Sequence, residues 1–248
     1  MIITIIIRKE LLALFYSPLA WLLLAVMQLA LAWFFLLQLD AFLGLQSQLQ
    51  QLINPPGVTE TVVAPVFAIA FILLLMATPI LSMRLLAEER RNHTLALLMS
   101  APISVTDIVL GKFAALMIFY TGIIALLTAL SLSLRMGGEL DYGLIYSNAL
   151  GLFLAVACLC ALGSYISSLT AQPAIAAIGC LGAFLALWMI DWIGSDHHAW
   201  WHYFSLLRHF RQFNQGLVDS FGIVYCGLFV AVFLMLTIRR LDSERLHG

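Results

Sequence analysis

Apolar residues in this sequence run nearly unbroken for about twenty positions at a time, much longer than a surface helix or a half-buried strand would need. Six such runs stand out, at roughly Leu19–Leu39, Val63–Met83, Phe113–Leu134, Ile145–Ser168, Pro173–Ile193 and Gly222–Ile238. A helix crosses the hydrocarbon of a bilayer with about 20 apolar residues. A transmembrane barrel would show shorter alternating segments, and the sequence has none. The pattern predicts an all-α membrane protein with six transmembrane helices.

The segments between the runs predict further elements. The opening stretch, MIITIIIRKELLALFYSP, places its charges after the apolar residues and lacks a small-x-small cleavage site, so it does not read as a cleavable signal peptide. It reads as a helix over Ile2–Ser17 lying in the membrane interface and ended by Pro18. Thr4, Arg8 and Lys9 would face water, with Ile3, Ile6, Ile7 and Leu11 in the lipid. The stretch 40–62 alternates Gln46, Gln48, Gln50 and Gln51 with leucines. It predicts either a short surface helix ended by Pro55-Pro56, contacting a partner at the outer face, or a solvated connection. The stretch 194–221 predicts one or two helices dipping into the outer leaflet. There Phe210, Phe213 and Leu217 share one side, Arg208, Arg211 and Gln212 the other, and Trp200, Trp201, Tyr203 and Phe204 sit at the interface.

Composition agrees with a lipid solvent. Of 248 residues 63% are hydrophobic and 10% charged, with a mean hydropathy of +1.02, where soluble chains average about 25% charged. The net charge of −1 gives no reason to expect a nucleic-acid partner. The distribution of the 12 basic residues says more. Arg8, Lys9, Arg84, Arg90, Arg91, Lys112, Arg239, Arg240 and Arg245 fall on one side of a six-span topology, and only Arg135, Arg208 and Arg211 on the other. The positive-inside rule then places both termini and residues 84–112 in the cytoplasm. On that side Asn92-His93-Thr94 is an accidental glycosylation match.

Several chemistries are disfavoured. The span interiors carry no charge, which argues against an ion- or proton-driven pathway. Gln28 is the strongest polar group deep in the first span. The hydroxyls of Thr78, Ser82, Thr121, Thr128, Ser131, Ser133 and Ser164 are suited to bonding helix carbonyls. Cys158, Cys160, Cys180 and Cys226 follow no metal or redox spacing and read as packing residues. Gly163-Ser164 has no histidine in the spans to activate it. Asp196, His198 and His202 have ligand-like spacing, but polar residues beside an aromatic belt explain them as well, and no metal site is assigned. Gly111-Lys112 is the sole Gly-Lys pair, with Thr106 and Phe113 where a phosphate-binding loop needs Gly and Ser/Thr. No nucleotide-binding motif is present, so the chain is not an enzyme by itself.

The most charged stretch is EERRNHTLALLMSAP, from Glu88 to Pro102. Arg84 with Glu88, and Glu88 with Arg91, have helical pair spacing, yet exposed pairs of this kind stabilise by only a few tenths of a kcal/mol. Thr94–Ser100 predicts a short helix with Leu95, Leu98 and Met99 on one face, stopped at Pro102. Ser104 and Asp107 then fit the start of the next helix. The arrangement predicts a short helix held crosswise at the cytoplasmic surface. It is either an amphipathic loop resting on headgroups or a lever on which a soluble partner acts.

Glu88, Glu89, Arg90, Thr94, Leu97, Leu98, Pro102, Gly111 and Lys112 resemble the cytoplasmic signature of ABC-2-type permeases, and Arg91 lies in the same charged cluster as a further coupling candidate. Near the C-terminus His209, Phe210, Phe213, Gly216, Asp219 and Tyr225 resemble a motif of the gliding-motility-associated permease branch and of the related nitrous-oxide-reductase maturation permease. The resemblance covers essentially the whole chain as one transmembrane domain. It implies a cytoplasmic coupling region at 84–112, with its short coupling helix seated on a separate ABC ATPase, two copies of which bind ATP and Mg, and a second permease copy or related permease completing the pathway. The implied location is the bacterial inner membrane, and the implied activity is export or extrusion of a substrate. Two rivals stand beside it: a mechanotransmitting subunit passing ATP-driven motion to a periplasmic partner, and a scaffold without transport. Gly151, Ala155, Gly179 and Gly182 predict close helix approach.

Overall fold

The computed structural model describes residues 2–49, 57–92, 94, 103–136, 140–193 and 205–247. Every regular element among them is helical. Helix α1 (Ile2–Tyr16) stops at the bend of Ser17, and Pro18 opens α2 (Pro18–Leu49). A continuous helical run, Thr59–Arg91, contains α3 (Ala64–Met83) between two π-helical turns, Thr59–Val63 and Arg84–Glu88, and ends in α4 (Glu89–Arg91). Then come α5 (Val105–Leu132) with a 3₁₀ turn at Ser133–Met136, α6 (Tyr142–Leu169), α7 (Pro173–Ile193), α8 (Leu206–Asn214) and α9 (Ser220–His247). Five helical runs are long and apolar enough to cross a membrane: those of α2, α3, α5, α6 and α9. The fifth apolar run of the sequence is α7, whose apolar stretch over the described side chains, Pro173–Met189, is shorter than those five.

Helix α6 is the axis of the bundle. Its apolar window is 67% buried, against 28% for α2 and 22% for α9. Small residues line it, among them Gly151, Ala155, Cys158, Ala161, Gly163 and Ser164, all buried. Without a hydrophobic drive between helices in lipid, close backbone approach and van der Waals contact hold them together. A Cβ on Gly151 would stand 2.4 Å from Cβ of Phe213, and one on Gly163 2.7 Å from Cβ of Ser82. Gly179 faces Ile166 more loosely, at 3.2 Å, and Gly182 has no neighbour within 4 Å, so of these two predicted contact glycines only Gly179 meets another helix.

Several hydroxyls inside the bundle are absorbed by their own helices. Thr78 donates to Leu74 O at 2.6 Å, Thr121 to Met117 O at 2.7 Å, Ser131 to Leu127 O at 3.0 Å and Ser164 to Cys160 O at 2.7 Å. In hydrocarbon this is the cheapest way to satisfy a polar side chain. Gln28 departs from the pattern, with its Oε1 buried and unpartnered.

Two expectations are corrected. Residues 40–49 continue α2 instead of forming a separate surface helix, as no proline intervenes between Leu39 and Leu49 and the single Gly44 is carried within the helix; Pro55-Pro56 lie outside the described residues. On α1, Ile6 is buried, and Ile3, Ile7 and Leu11 are partly covered, while Ile5, Leu12, Phe15 and Tyr16 are exposed. The face assigned to lipid packs on α5.

Gly151→Ala should cost about 1–3 kcal/mol by overpacking, whereas Gly227→Ala, with nothing within 4 Å of the new methyl, should be neutral or slightly stabilising. Thermal unfolding in detergent, followed by thiol-dye labelling of the four buried cysteines, measures both.

Candidate functional site

At one end of the bundle α1, α4, α5 and the tail of α9 converge on the charged stretch. The geometry begins with Gly111. A Cβ there would stand 2.6 Å from Cγ2 of Ile6, so the missing side chain lets α1 lie directly on α5. One turn after Ile6, on the same face of α1, comes Glu10. One residue after Gly111 comes Lys112. Its Nζ lies 3.0 Å from Oε1 of Glu10 and 2.7 Å from Oε1 of Glu89, and its side chain is 3% exposed. One ammonium thus joins α1, the end of the Thr59–Arg91 run and the start of α5. Glu89 keeps its second oxygen, Oε2, buried without a partner. Glu10 escaped the sequence reading because nothing local marks a partner 102 residues away.

The surrounding charges close the frame. Arg84 donates to Ser17 Oγ at 3.1 Å and lies 3.7 Å from Glu88. Arg90 Nη2 is 2.6 Å from Glu244 Oε2, and Arg240 Nε is 3.4 Å from Glu244 Oε1. Arg245 donates to the carbonyl of Ile103 at 3.2 Å. The Glu88–Arg91 pair expected from spacing does not form: Glu88 turns to Arg84, and Arg91 is exposed. A cavity of about 290 Å³ lies within this frame, lined among others by Lys9, Glu10, Ser17, Glu88, Asn92 and Lys112. Thr94 donates to Glu89 O at 3.2 Å. Leu97, Leu98 and Pro102 lie outside the described residues.

The π-helical turn Arg84–Glu88 is secured from α6. Ser167 Oγ accepts from the backbone N–H of Leu86 at 3.3 Å and of Ala87 at 3.0 Å, and donates to Met83 O at 3.2 Å. A π turn disturbs the regular ladder, and one hydroxyl restores three backbone partners. Ser104 caps α5 by accepting from Asp107 N at 3.0 Å. Neither the π turn nor Ser167 carries a recognisable sequence signal.

At the opposite end α8 packs under the tips of α3, α6 and α9. Phe210 stacks on Phe71 with centroids 4.6 Å apart. Phe213 fills the space left by Gly151 and Gly222. His209 is buried, its ring 4.7 Å from that of Tyr225. Gly216 has φ +81° and closes α8 with two bonds, Leu217 N to Gln212 O at 3.0 Å and Gly216 N to Phe213 O at 3.0 Å. This left-handed cap requires a residue without Cβ strain. Asp219 Oδ1 accepts from Phe221 N at 3.1 Å at the start of α9. Ser147 donates to Phe213 O at 2.7 Å, and Asn214 to Ala64 O at 3.0 Å. Leu217, expected on the apolar face, is exposed because the cap reverses the chain before it. Each of the six motif residues therefore has a packing or capping task. Asp196, His198 and His202 lie outside the described residues.

The two ends differ in charge. Arg8, Lys9, Arg84, Arg90, Arg91, Lys112, Arg239, Arg240 and Arg245 belong to the first, and Arg135, Arg208 and Arg211 to the second.

Residues 4–199 match a family model described as ABC-2 family transporter protein. No curated protein matches the chain.

Replacing Lys112 with Met would leave Glu10 and Glu89 facing each other and should destabilise by about 3 kcal/mol. Neutralising all three, as Glu10→Gln, Glu89→Gln and Lys112→Met together, should recover most of that loss. Thermal unfolding in detergent compares the two.

Proposed function

Because the chain belongs to the ABC-2 transporter family, we propose that its charged end is the seat of a separate ABC ATPase and that residues 84–112 carry the force of ATP hydrolysis into the membrane. The family makes it a membrane permease subunit of an ABC transporter, a multi-pass protein that is not itself the catalytic component. The reading rests on Lys112, which ties the region to α1 and α5, so that a push on it moves several helices together.

Six spans, with α7 as the fifth, put both termini and the charged end on the cytoplasmic side of a bacterial inner membrane, and the basic residues favour this orientation. Glu88, Arg91, Thr94, Leu97, Leu98 and Pro102 would meet the ATPase. Gly111, Lys112, Glu89 and Arg90 would brace the region from within. The span interiors carry no charge, which favours a pathway between two permease copies, or between this chain and a related permease, each on its own ATPase with ATP and Mg, driving export or extrusion. The motif from His209 to Tyr225 supports placement in the gliding-motility-associated branch, akin to the nitrous-oxide-reductase maturation permease. The self-satisfied hydroxyls and uncharged spans also favour a second reading, in which the subunit passes ATP-driven motion to a periplasmic partner and moves no substrate itself.

Purification of the tagged chain from its native host in mild detergent, with mass spectrometry and an ATPase assay, tests the proposal. An ABC ATPase should co-purify, and Leu98→Asp or Glu88→Ala/Arg91→Ala should release or uncouple it. No ATPase and no ATP hydrolysis would overturn the proposal. A large periplasmic protein retained in the complex would favour the second reading.

A further inference from the structure

The last turns of α9 hold the coupling region at two points. Glu244 binds Arg90 at 2.6 Å, before residues 95–102, and Arg245 binds the Ile103 carbonyl at 3.2 Å, directly after them. The two gripping residues are consecutive, so one turn of one helix holds the chain on entry and on exit. Leu241, 1% exposed, fixes that turn against the bundle, and Arg240 orients the Glu244 carboxylate from the other side.

Helix α9 has the smallest buried share of the five long runs, 22% of its apolar window, and packs chiefly on α6. It is continuous from Ser220 to His247, about 42 Å at 1.5 Å per residue. Its far end carries Tyr225 against His209 and Gly222 against Phe213, the contacts that seat α8. As one continuous helix tied to the coupling region at one end and to α8 at the other, it links the two.

We propose that Glu244 and Arg245 are positioning residues that make α9 a third lever, carrying movement of the coupling region to the contacts beneath α8 at the opposite face. This rests on the ABC-permease reading above, but adds a route that the tethering to α3 and α5 alone does not contain. The Arg90 and Glu244 side chains are 20% and 30% exposed, so the ion pair is partly screened and can break and re-form within a cycle.

The test is hydrogen exchange on the complex of the full chain with its co-purified ATPase, without nucleotide and trapped with ATP and vanadate. In the wild type, trapping should change exchange in residues 103–115 and in 206–225. In E244Q/R245Q the ATPase should remain bound and the change at 103–115 persist, while that at 206–225 is lost; the charge swap R90E/E244R should restore it. A change at 206–225 that survives in E244Q/R245Q, or that is absent from the wild type while 103–115 responds, overturns the proposal. A wild-type preparation that carries no ATPase instead removes the permease reading, and the lever with it.

Discussion

Lys112 has to be paired wherever it is buried. Its side chain is almost fully enclosed at the edge of an apolar bundle, and an isolated ammonium there would cost several kcal/mol. Two carboxylates from different helices meet that demand, and in doing so they set where α1 lies and how the Thr59–Arg91 run ends. Gly111 belongs to the same solution, because α1 can bring Glu10 within reach only if the neighbouring position on α5 has no side chain. The charged end is therefore built inward around one cation, while residues such as Arg91 face outward.

The opposite end obeys a different constraint. Helix α8 ends against α6 at the tip of the bundle, where its last carbonyls need donors. Ser147 and Asn148 on α6 supply them, and Gly216 turns the chain so that α9 can start again from Asp219. Between the ends, hydroxyls bond to carbonyls one turn back, and α6 presents small side chains so that its neighbours approach closely. Lipid as solvent explains all three features: no backbone or polar group can look to water for a partner.

The helical membrane fold was legible because that solvent imposes long apolar runs, which need no partner to be recognised. Charge asymmetry and the Glu88–Lys112 stretch were legible for a related reason, since charges are rare enough in such a chain to be conspicuous. What stayed hidden depends on pairing across the sequence. Glu10 looks like any polar residue of an interfacial helix until Lys112 is placed beside it. Glu244 looks like part of a charged tail until Arg90 meets it. Ser167 is one serine among many, and a π turn leaves no periodic trace over five residues. The packing side of α1 was misjudged for the same cause: Ile6 is equally at home in lipid or against a glycine, and only the glycine decides.

An ATPase seated on the end organised by Lys112 should be reachable from that end alone. A photoreactive amino acid placed at Arg91 or Thr94, both exposed, and in parallel at Arg208 on the opposite end, tests it in the native membrane. The account predicts adducts with an ABC ATPase from Arg91 or Thr94 and none from Arg208. Adducts from Arg208, or none from either Arg91 or Thr94 when the ATPase is present, would contradict it.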